Sequence, residues 1–276
     1  MPRRCRYPTV ADSAAVRCSG KRSANRFPGE DQPRLLAEYL RQKYAGTKID
    51  VAMATSGPAL TFLLKYRERL FPEAPIVFTT WKEYPTNEDR TSGPGLTGVV
   101  VDDSNRNNLA LALTLHAGTR QVFVISGSPE RDGKLEALAR ADLSEFEGKV
   151  QLTYLTDLPL NDLIDQVRDA PEHSVVLYIR QSQDVPGYNL TPDDVVTLLA
   201  QSSSVPIYGV VSSQLGRGII GGYLYNTEAL ATQAGELALR IAKGARPQDI
   251  PVTRAATIPT FDWRQLVRWG ISERSL

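Results

Sequence analysis

From Phe27 onward, short β-branched and aliphatic runs bounded by turn residues alternate with amphipathic stretches of roughly 10–18 residues, the pattern of a parallel sheet with crossover helices. Nine strands are predicted: Ile49–Thr55, Pro75–Trp81, Thr97–Asp102, Gln121–Gly127, Val150–Asp157, Ser174–Gln181, Pro206–Ser212, Gly221–Tyr225 and Pro251–Ala256. They are near-continuous apolar runs, as strands covered on both faces require. Between them, Leu35–Tyr44, Pro58–Leu70, Asn105–His116, Lys134–Phe146, Leu160–Asp169, Pro192–Ser202 and Thr227–Lys243 repeat apolar residues at helical spacing. Leu60, Leu63 and Leu64 fall on one helix face, as do Leu230, Ala234, Leu237, Ala238 and Ile241. Gly118, Gly148 and Gly244 stand where a left-handed residue closes a helix, and Thr191 ahead of Pro192-Asp193-Asp194 is a cap hydroxyl with acid near the positive end of the dipole.

A new helix and strand series begins after Asp102-Asp103-Ser104, so segments 49–102 and 105–225 form two α/β units. Residues 226–276 are too few for a third and pack back on both. The predicted division is an irregular basic tail over 1–26, a first α/β lobe of 27–102 plus 226–250, and a second of 103–225 plus 251–276. No tandem repeat or low-complexity tract interrupts the pattern.

Composition narrows the chemistry. The 276 residues are 42% apolar and 23% charged, ordinary for a globular chain. A formal charge of +1 gives no bulk reason to bind phosphate, so nucleic acid is not an expected partner. That balance conceals an asymmetry: residues 1–26 carry seven Lys and Arg against Asp12 alone, and the rest is net acidic. The tail has no apolar run and no helical period, and reads as an irregular solvated terminus in preference to a nucleic-acid arm. It lacks the apolar segment of about 7–15 residues that makes a signal peptide, and no window reaches the ~18 apolar residues of a membrane span. Two His and two Cys, Cys5 and Cys18, are too few for a Cys/His zinc centre and disfavour His-based acid–base catalysis. The two thiols can pair in an oxidising compartment.

In open α/β sheets ligands bind beyond the carboxyl ends of strands. The residues there are Thr55-Ser56-Gly57-Pro58, Thr79-Thr80-Trp81, Ser126-Gly127-Ser128, Arg180-Gln181-Ser182-Gln183 and Ser212-Ser213-Gln214. Hydroxyls, glycines and free backbone N–H groups suit the holding of a polar organic molecule. Each alone is also what a cap or turn uses. Trp81 is either an aromatic wall for a planar ligand or part of the core; Arg180 pairs either a ligand carboxylate or a neighbour such as Asp184.

Other motifs fail. Gly216-Arg217-Gly218-Ile219-Ile220-Gly221 has the spacing of a dinucleotide fingerprint but precedes a strand where that fingerprint follows one. No phosphate-binding loop and no nucleophile elbow occurs. His116 at a helix end and His173 in a turn read as structural, and Asp102-Asp103 as a hinge or turn in preference to a carboxylate dyad or Mg²⁺ site.

The chain resembles the type I periplasmic binding proteins, in the branch serving ABC importers of aromatic amino acids and similar compounds and recurring as the extracytoplasmic sensor region of bacterial histidine kinases. The resemblance runs from about Arg26 to Leu276. It is carried by Arg26-Phe27-Pro28-Gly29, Lys43-Tyr44-Ala45-Gly46, Ile49-Asp50-Val51 leading to Gly57-Pro58-Ala59-Leu60, and Leu70-Phe71-Pro72 with Pro75-Ile76-Val77-Phe78. Then come Thr97-Gly98-Val99-Val100, Leu115-His116-Ala117-Gly118-Thr119 with Gln121-Val122-Phe123-Val124, and the run from Tyr208 to Gly222. The close, Phe261-Asp262-Trp263-Arg264-Gln265-Leu266 through Trp269-Gly270-Ile271-Ser272, looks more like the kinase-sensor branch. The chain departs from the family at its start, where members open with a strand, a ligand-facing loop and a helix that residues 1–26 do not supply.

The resemblance implies two Rossmann-like lobes with parallel sheets, joined by three crossings and closing on a ligand. Thr55, Ser56, Gly57, Thr80 and Trp81 would face the cleft from the first lobe, and Ser126, Gly127, Arg180, Gln181, Ser212, Ser213 and Gln214 from the second. The expected function is extracytoplasmic, non-enzymatic binding of an aromatic or carboxylated organic solute, without cofactor or metal, as the sensor domain of a signal-transduction histidine kinase, with the free solute-binding component of an ABC importer as the alternative. A signal sequence or membrane segment is not present in this chain. Expected partners are the solute and either an ABC permease or an in-frame membrane and kinase segment. A two-lobed Rossmann-like enzyme and a repressor core are the rival classes, disfavoured by the lack of a positioned base and of a helix-turn-helix pattern. Trp81→Ala and Arg180→Ala are expected to weaken binding without lowering the melting temperature of the ligand-free protein.

Overall fold

The structure, a computed structural model, describes residues 32–81, 95–102, 104–127, 135–181, 183–185 and 188–276. The basic tail, Asp103, Ser128, Ser182 and the side chain of Asp184 lie outside the described residues.

Alternation of side chains along apolar strands gives each sheet two faces to cover, and helices cover both. The first sheet has the order β1 (Ala52–Ala54), β2 (Ile76–Trp81), β3 (Leu96–Val101), β11 (Thr253–Ala255), all parallel. Ala52, Ala54, Ile76 and Phe78 point to Leu60 of α2 (Gly57–Leu70). Val77 and Val99 point the other way, to Ala234, Leu237 and Ile241 of α7 (Thr227–Ala242). Helix α1 (Gln32–Lys43) lies beside α2, where Arg69 reaches Glu38 at 2.7 Å and Tyr44 meets Phe71 edge-on.

The second sheet has the order β12 (Ile258–Phe261), β10 (Gly221–Leu224), β9 (Ile207–Tyr208), β6 (Ser174–Tyr178), β4 (Gln121–Ile125), β5 (Gln151–Tyr154), with only β12 antiparallel to its neighbour. Phe123, Ile125, Val176, Tyr178 and Ile207 pack on α5 (Leu160–Arg168) and α6 (Pro192–Ser202). Val122, Val124, Val175, Leu177 and Tyr208 pack on α3 (Asn105–Leu115), α4 (Leu135–Leu143) and α8 (Trp263–Arg268). A small antiparallel hairpin, β7 (Gln183–Val185) and β8 (Tyr188–Leu190), stands apart. No helix among the described residues is long and apolar enough to cross a membrane.

The chain crosses from the first sheet to the second between β3 and α3, returns between β10 and α7, and crosses again between β11 and β12. This last handover differs from the sequence division, which gives all of 251–276 to the second lobe: Thr253–Ala255 pairs with β3 in the first sheet. Its Thr253 and Arg254 are exposed, so the strand carries no apolar signal of the sheet it joins. Backbone and side-chain contacts hold it instead, Thr97 Oγ1 donating to Ile250 O at 2.9 Å and Arg254 pairing with Asp102.

The predicted caps form. Thr191 Oγ1 accepts from Asp194 N while the Asp194 carboxylate accepts from Thr191 N, a reciprocal box at the start of α6. Gly118, Gly148 and Gly244 take the positive φ assigned to them.

Candidate functional site

The strands stop earlier than their apolar runs do. Strand β1 ends at Ala54, β4 at Ile125, β6 at Tyr178 and β9 at Tyr208, so the small polar residues after them leave the ladders and line the carboxyl edges of the two sheets as loops. In the first lobe, Thr55 and Ser56 are exposed, Ser56 Oγ accepts from Ala59 N at 3.3 Å as the cap of α2, and Gly57 is buried as its first residue. Thr80 is buried within β2. Trp81, the last residue of β2, is half-buried and reaches the other lobe. Its ring lies edge-on to Tyr225, with centroids 5.9 Å apart and planes at 75°.

In the second lobe, Ser126 and Gly127 are buried just past β4. The Ser126 side chain is 1% exposed, and its hydroxyl has no hydrogen-bond partner among the described residues. Arg180, partly exposed, donates its backbone N–H to Ile125 O at 3.2 Å, which sets the loop after β6 against the loop after β4. Two of the nominated residues are buried glutamines. Gln181 is buried, its N–H donating to Tyr178 Oη, which in turn donates to Pro192 O at 2.7 Å. Gln214 is buried too, and its Oε1 accepts from Val210 N and Val211 N. Its amide folds the loop after β9 where no strand neighbour satisfies those donors. Ser212 N donates to Tyr225 O at 3.0 Å and Ser212 Oγ accepts from Thr227 N, while Ser213 Oγ donates to Asp193 at 3.2 Å.

The structure thus gathers Trp81, Arg180, Ser212 and Ser213 around two residues that sequence reasoning missed, Tyr225 and Asp193. Burial pushes the Tyr225 hydroxyl above its usual range; the Trp81 indole as a hydrogen-bonding neighbour and the Arg180 charge pull it down, and the Asp193 charge pushes it up. The signal was present: Tyr225 directly follows β10 at its carboxyl end, the position that nominated Trp81. Thr55, Ser56 and Gly57 share the carboxyl edge of the first sheet but make no described contact with this group.

Chemically the cluster offers an indole, a phenol, a guanidinium, hydroxyls and a carboxylate held by Ser213, with Arg217 3.8 Å away. Such groups hold and orient a polar organic molecule. Among the described residues no three His, Cys, Asp or Glu side chains come together. Both imidazoles lie at the opposite edge of the second sheet, where His173 O accepts from Arg120 N ahead of β4.

His116 stacks edge-on against Tyr208, and burial holds its imidazole below the ordinary 6.5. As pH falls through 6.5 the unfolded chain therefore takes up a proton that the folded one resists, so this group removes stability toward acid pH and has no such effect above it. Urea unfolding between pH 7.5 and 5.5 is expected to show that loss, and His116→Gln to flatten it; parallel profiles would remove His116 as the cause.

No protein-family model matches the chain, and no curated protein sequence matches it. Solved structures do. A conserved domain protein from Vibrio cholerae is similar with TM-score 0.63 and 17% identity, over 88% of this chain and 81% of that one. An ABC domain from Streptococcus pneumoniae in complex with L-Trp is similar with TM-score 0.63 and 18% identity, over 87% and 80%. A ligand-free, open substrate-binding protein with adhesive properties from Clostridium difficile gives 0.60 and 15%, over 88% and 81%. The fold is that of the type I periplasmic binding proteins, two lobes with parallel-dominated sheets.

Proposed function

We propose that this chain is a solute-binding protein that closes its two lobes on a small polar organic molecule and releases it unchanged. The observation that carries this reading is the meeting of side chains from both lobes at the carboxyl edges of the sheets, Trp81 from one with Tyr225 and the Arg180 loop from the other. Arg180 suits a carboxylate and Trp81 a flat apolar group, so aromatic and carboxylated solutes head the expected ligands. The names of the Streptococcus and Clostridium proteins, an ABC domain holding L-Trp and a substrate-binding protein, favour an extracytoplasmic receptor working with an ABC permease. The alternative role, sensor region of a histidine kinase, draws on the sequence resemblance of Phe261 to Ser272; a kinase domain encoded in frame after Leu276 would assign it, and neighbouring permease and ATPase genes would assign import.

Ligand closes the lobes only by binding the closed state better, so it must also stabilise the fold. Thermal-shift screening against amino acids, aromatic acids and sugars is expected to find a ligand. Mass spectrometry of the denatured complex is expected to recover that ligand intact; recovery of an altered product would establish catalysis instead. With the ligand in hand, Ser126→Ala is expected to weaken binding by about tenfold, the loss of one hydrogen bond worth roughly 1.4 kcal/mol. The ligand-free melting temperature should stay the same or rise, because the Ser126 hydroxyl has no partner to lose among the described residues. Equal affinities by calorimetry would take Ser126 out of the site.

A further inference from the structure

We infer that the solute is an elongated molecule with two unlike ends, a flat ring lying at Trp81 and Tyr225 and a carboxylate held between Arg180 and Ser126, roughly 10 Å or more away. The inference rests on the two-lobed binding reading and deepens it by naming the shape of the ligand.

The order of the second sheet sets the distance. Strands β10, β9, β6 and β4 are successive neighbours, and just past their carboxyl ends stand Tyr225, Val211, Arg180 and Ser126. These four form a row. Val211 and Tyr225 bridge in parallel, and Arg180 N donates to Ile125 O, which places Arg180 beside Ser126. Counting on along both strands from the pair of Leu177 with Tyr208 brings Arg180 level with Val211. Neighbouring strands lie about 4.8 Å apart, so the backbone of Arg180 stands roughly 10 Å from that of Tyr225 and Ser126 roughly 14 Å. All four belong to one sheet, so this spacing does not depend on how far the lobes stand apart.

The chemistry of the row changes from end to end. At the Tyr225 end the half-buried Trp81 ring, edge-on to the phenol, offers flat apolar surface. At the other end the buried Ser126 hydroxyl, without a partner among the described residues, and the Arg180 guanidinium supply donors that suit a carboxylate. Arginine reaches several ångströms along the edge, but the serine hydroxyl stands one carbon from its backbone. A solute that satisfies it must come to it, and a compact solute that does so leaves the indole uncovered. Ring and carboxylate therefore sit at opposite ends of a chain of several atoms.

Benzoate, ω-phenylbutyrate and ω-phenylhexanoate, titrated calorimetrically into wild type, Ser126→Ala and Trp81→Leu, test this. Phenylhexanoate is expected to bind wild type at least about tenfold more tightly than benzoate. Added methylenes gain affinity in any apolar site, so the variants carry the decision. Both are expected to weaken phenylhexanoate, Ser126→Ala by about tenfold, whereas benzoate, too short to touch both ends, responds to only one of them. Circular dichroism confirms folding; if Trp81→Leu does not fold, the crystal structure of the phenylhexanoate complex decides by where ring and carboxylate lie. Phenylhexanoate binding no tighter than benzoate, phenylhexanoate indifferent to either variant, or benzoate weakened by both would overturn the two-ended solute. If these acids fail while other solutes of the thermal-shift panel bind, this inference alone falls; if no solute binds, the binding reading falls with it.

Discussion

Replacing Asn108 with leucine is expected to cost about 3–5 kcal/mol, a large share of the total stability of an ordinary domain. Asn108 is fully buried in α3, and its side chain does the work of a missing strand. Strand β9 ends at Tyr208, so β10, paired with it only at Gly221 and with β12 on its other edge, has no strand on the β9 side where Tyr223 passes. The Asn108 amide fills that place. Its Oδ1 accepts from Tyr223 N at 2.6 Å, and its Nδ2 donates to Gly209 O at 3.1 Å and lies 3.3 Å from Tyr223 O. Leucine keeps the branched skeleton but has bulkier methyl ends and none of these polar groups, so it leaves the backbone groups of Gly209 and Tyr223 without their partner, at roughly 1–3 kcal/mol each. Urea unfolding monitored by circular dichroism gives the loss directly; a change below about 1 kcal/mol would show that water or a backbone shift replaces the amide.

Both lobes were legible from sequence because two-sided burial leaves an unbroken apolar run. In Val122-Phe123-Val124-Ile125 neighbouring residues face different helices, and every one of them is apolar. Strand β12, helix α8 and the small hairpin were not legible, for the opposite reason. Strand β12 contains Pro259 and is exposed at Ile258, which an edge position tolerates but a strand pattern does not announce. Helix α8 has six residues, less than two turns, and displays Trp263 and Val267 to solvent, so it shows no apolar face. Hairpin β7 and β8 has three residues per strand.

The candidate site divides along the same line. Strand ends located it, because topology alone puts them at one edge. Side-chain direction beyond a strand end follows no period, so sequence could not tell that the Ser126 hydroxyl has no partner among the described residues, that the Gln214 amide turns inward to finish the backbone, that the Tyr178 hydroxyl takes the Gln181 N–H, or that Ser56 caps α2. Tyr225 escaped because it reads equally well as the last core residue of its strand. Only the fold, which sets the carboxyl ends of β2 and β10 against one another across the lobes, gives it a partner.

Gly221→Ala is expected to destabilise the protein by about 3 kcal/mol or more, the sum of a strained backbone and a clash that backbone cannot relieve. Gly221 opens β10 with φ of +130°, a conformation side-chain-bearing residues rarely adopt. A Cβ there would stand 2.1 Å from Thr260 O and 2.7 Å from Phe261 Cα, both backbone atoms of β12. The pairing of Gly221 with Phe261 is what brings the third crossing onto the second lobe, so the added methyl must push away the strand that joins the lobes. Gly216 supplies the control: its φ is +75°, yet a Cβ there meets nothing within 4 Å. Gly216→Ala therefore carries backbone strain alone, expected at about 1 kcal/mol. Thermal unfolding of the two variants side by side separates the contributions. Equal losses would mean that β12 yields freely, and that the third crossing is too loose to transmit lobe closure.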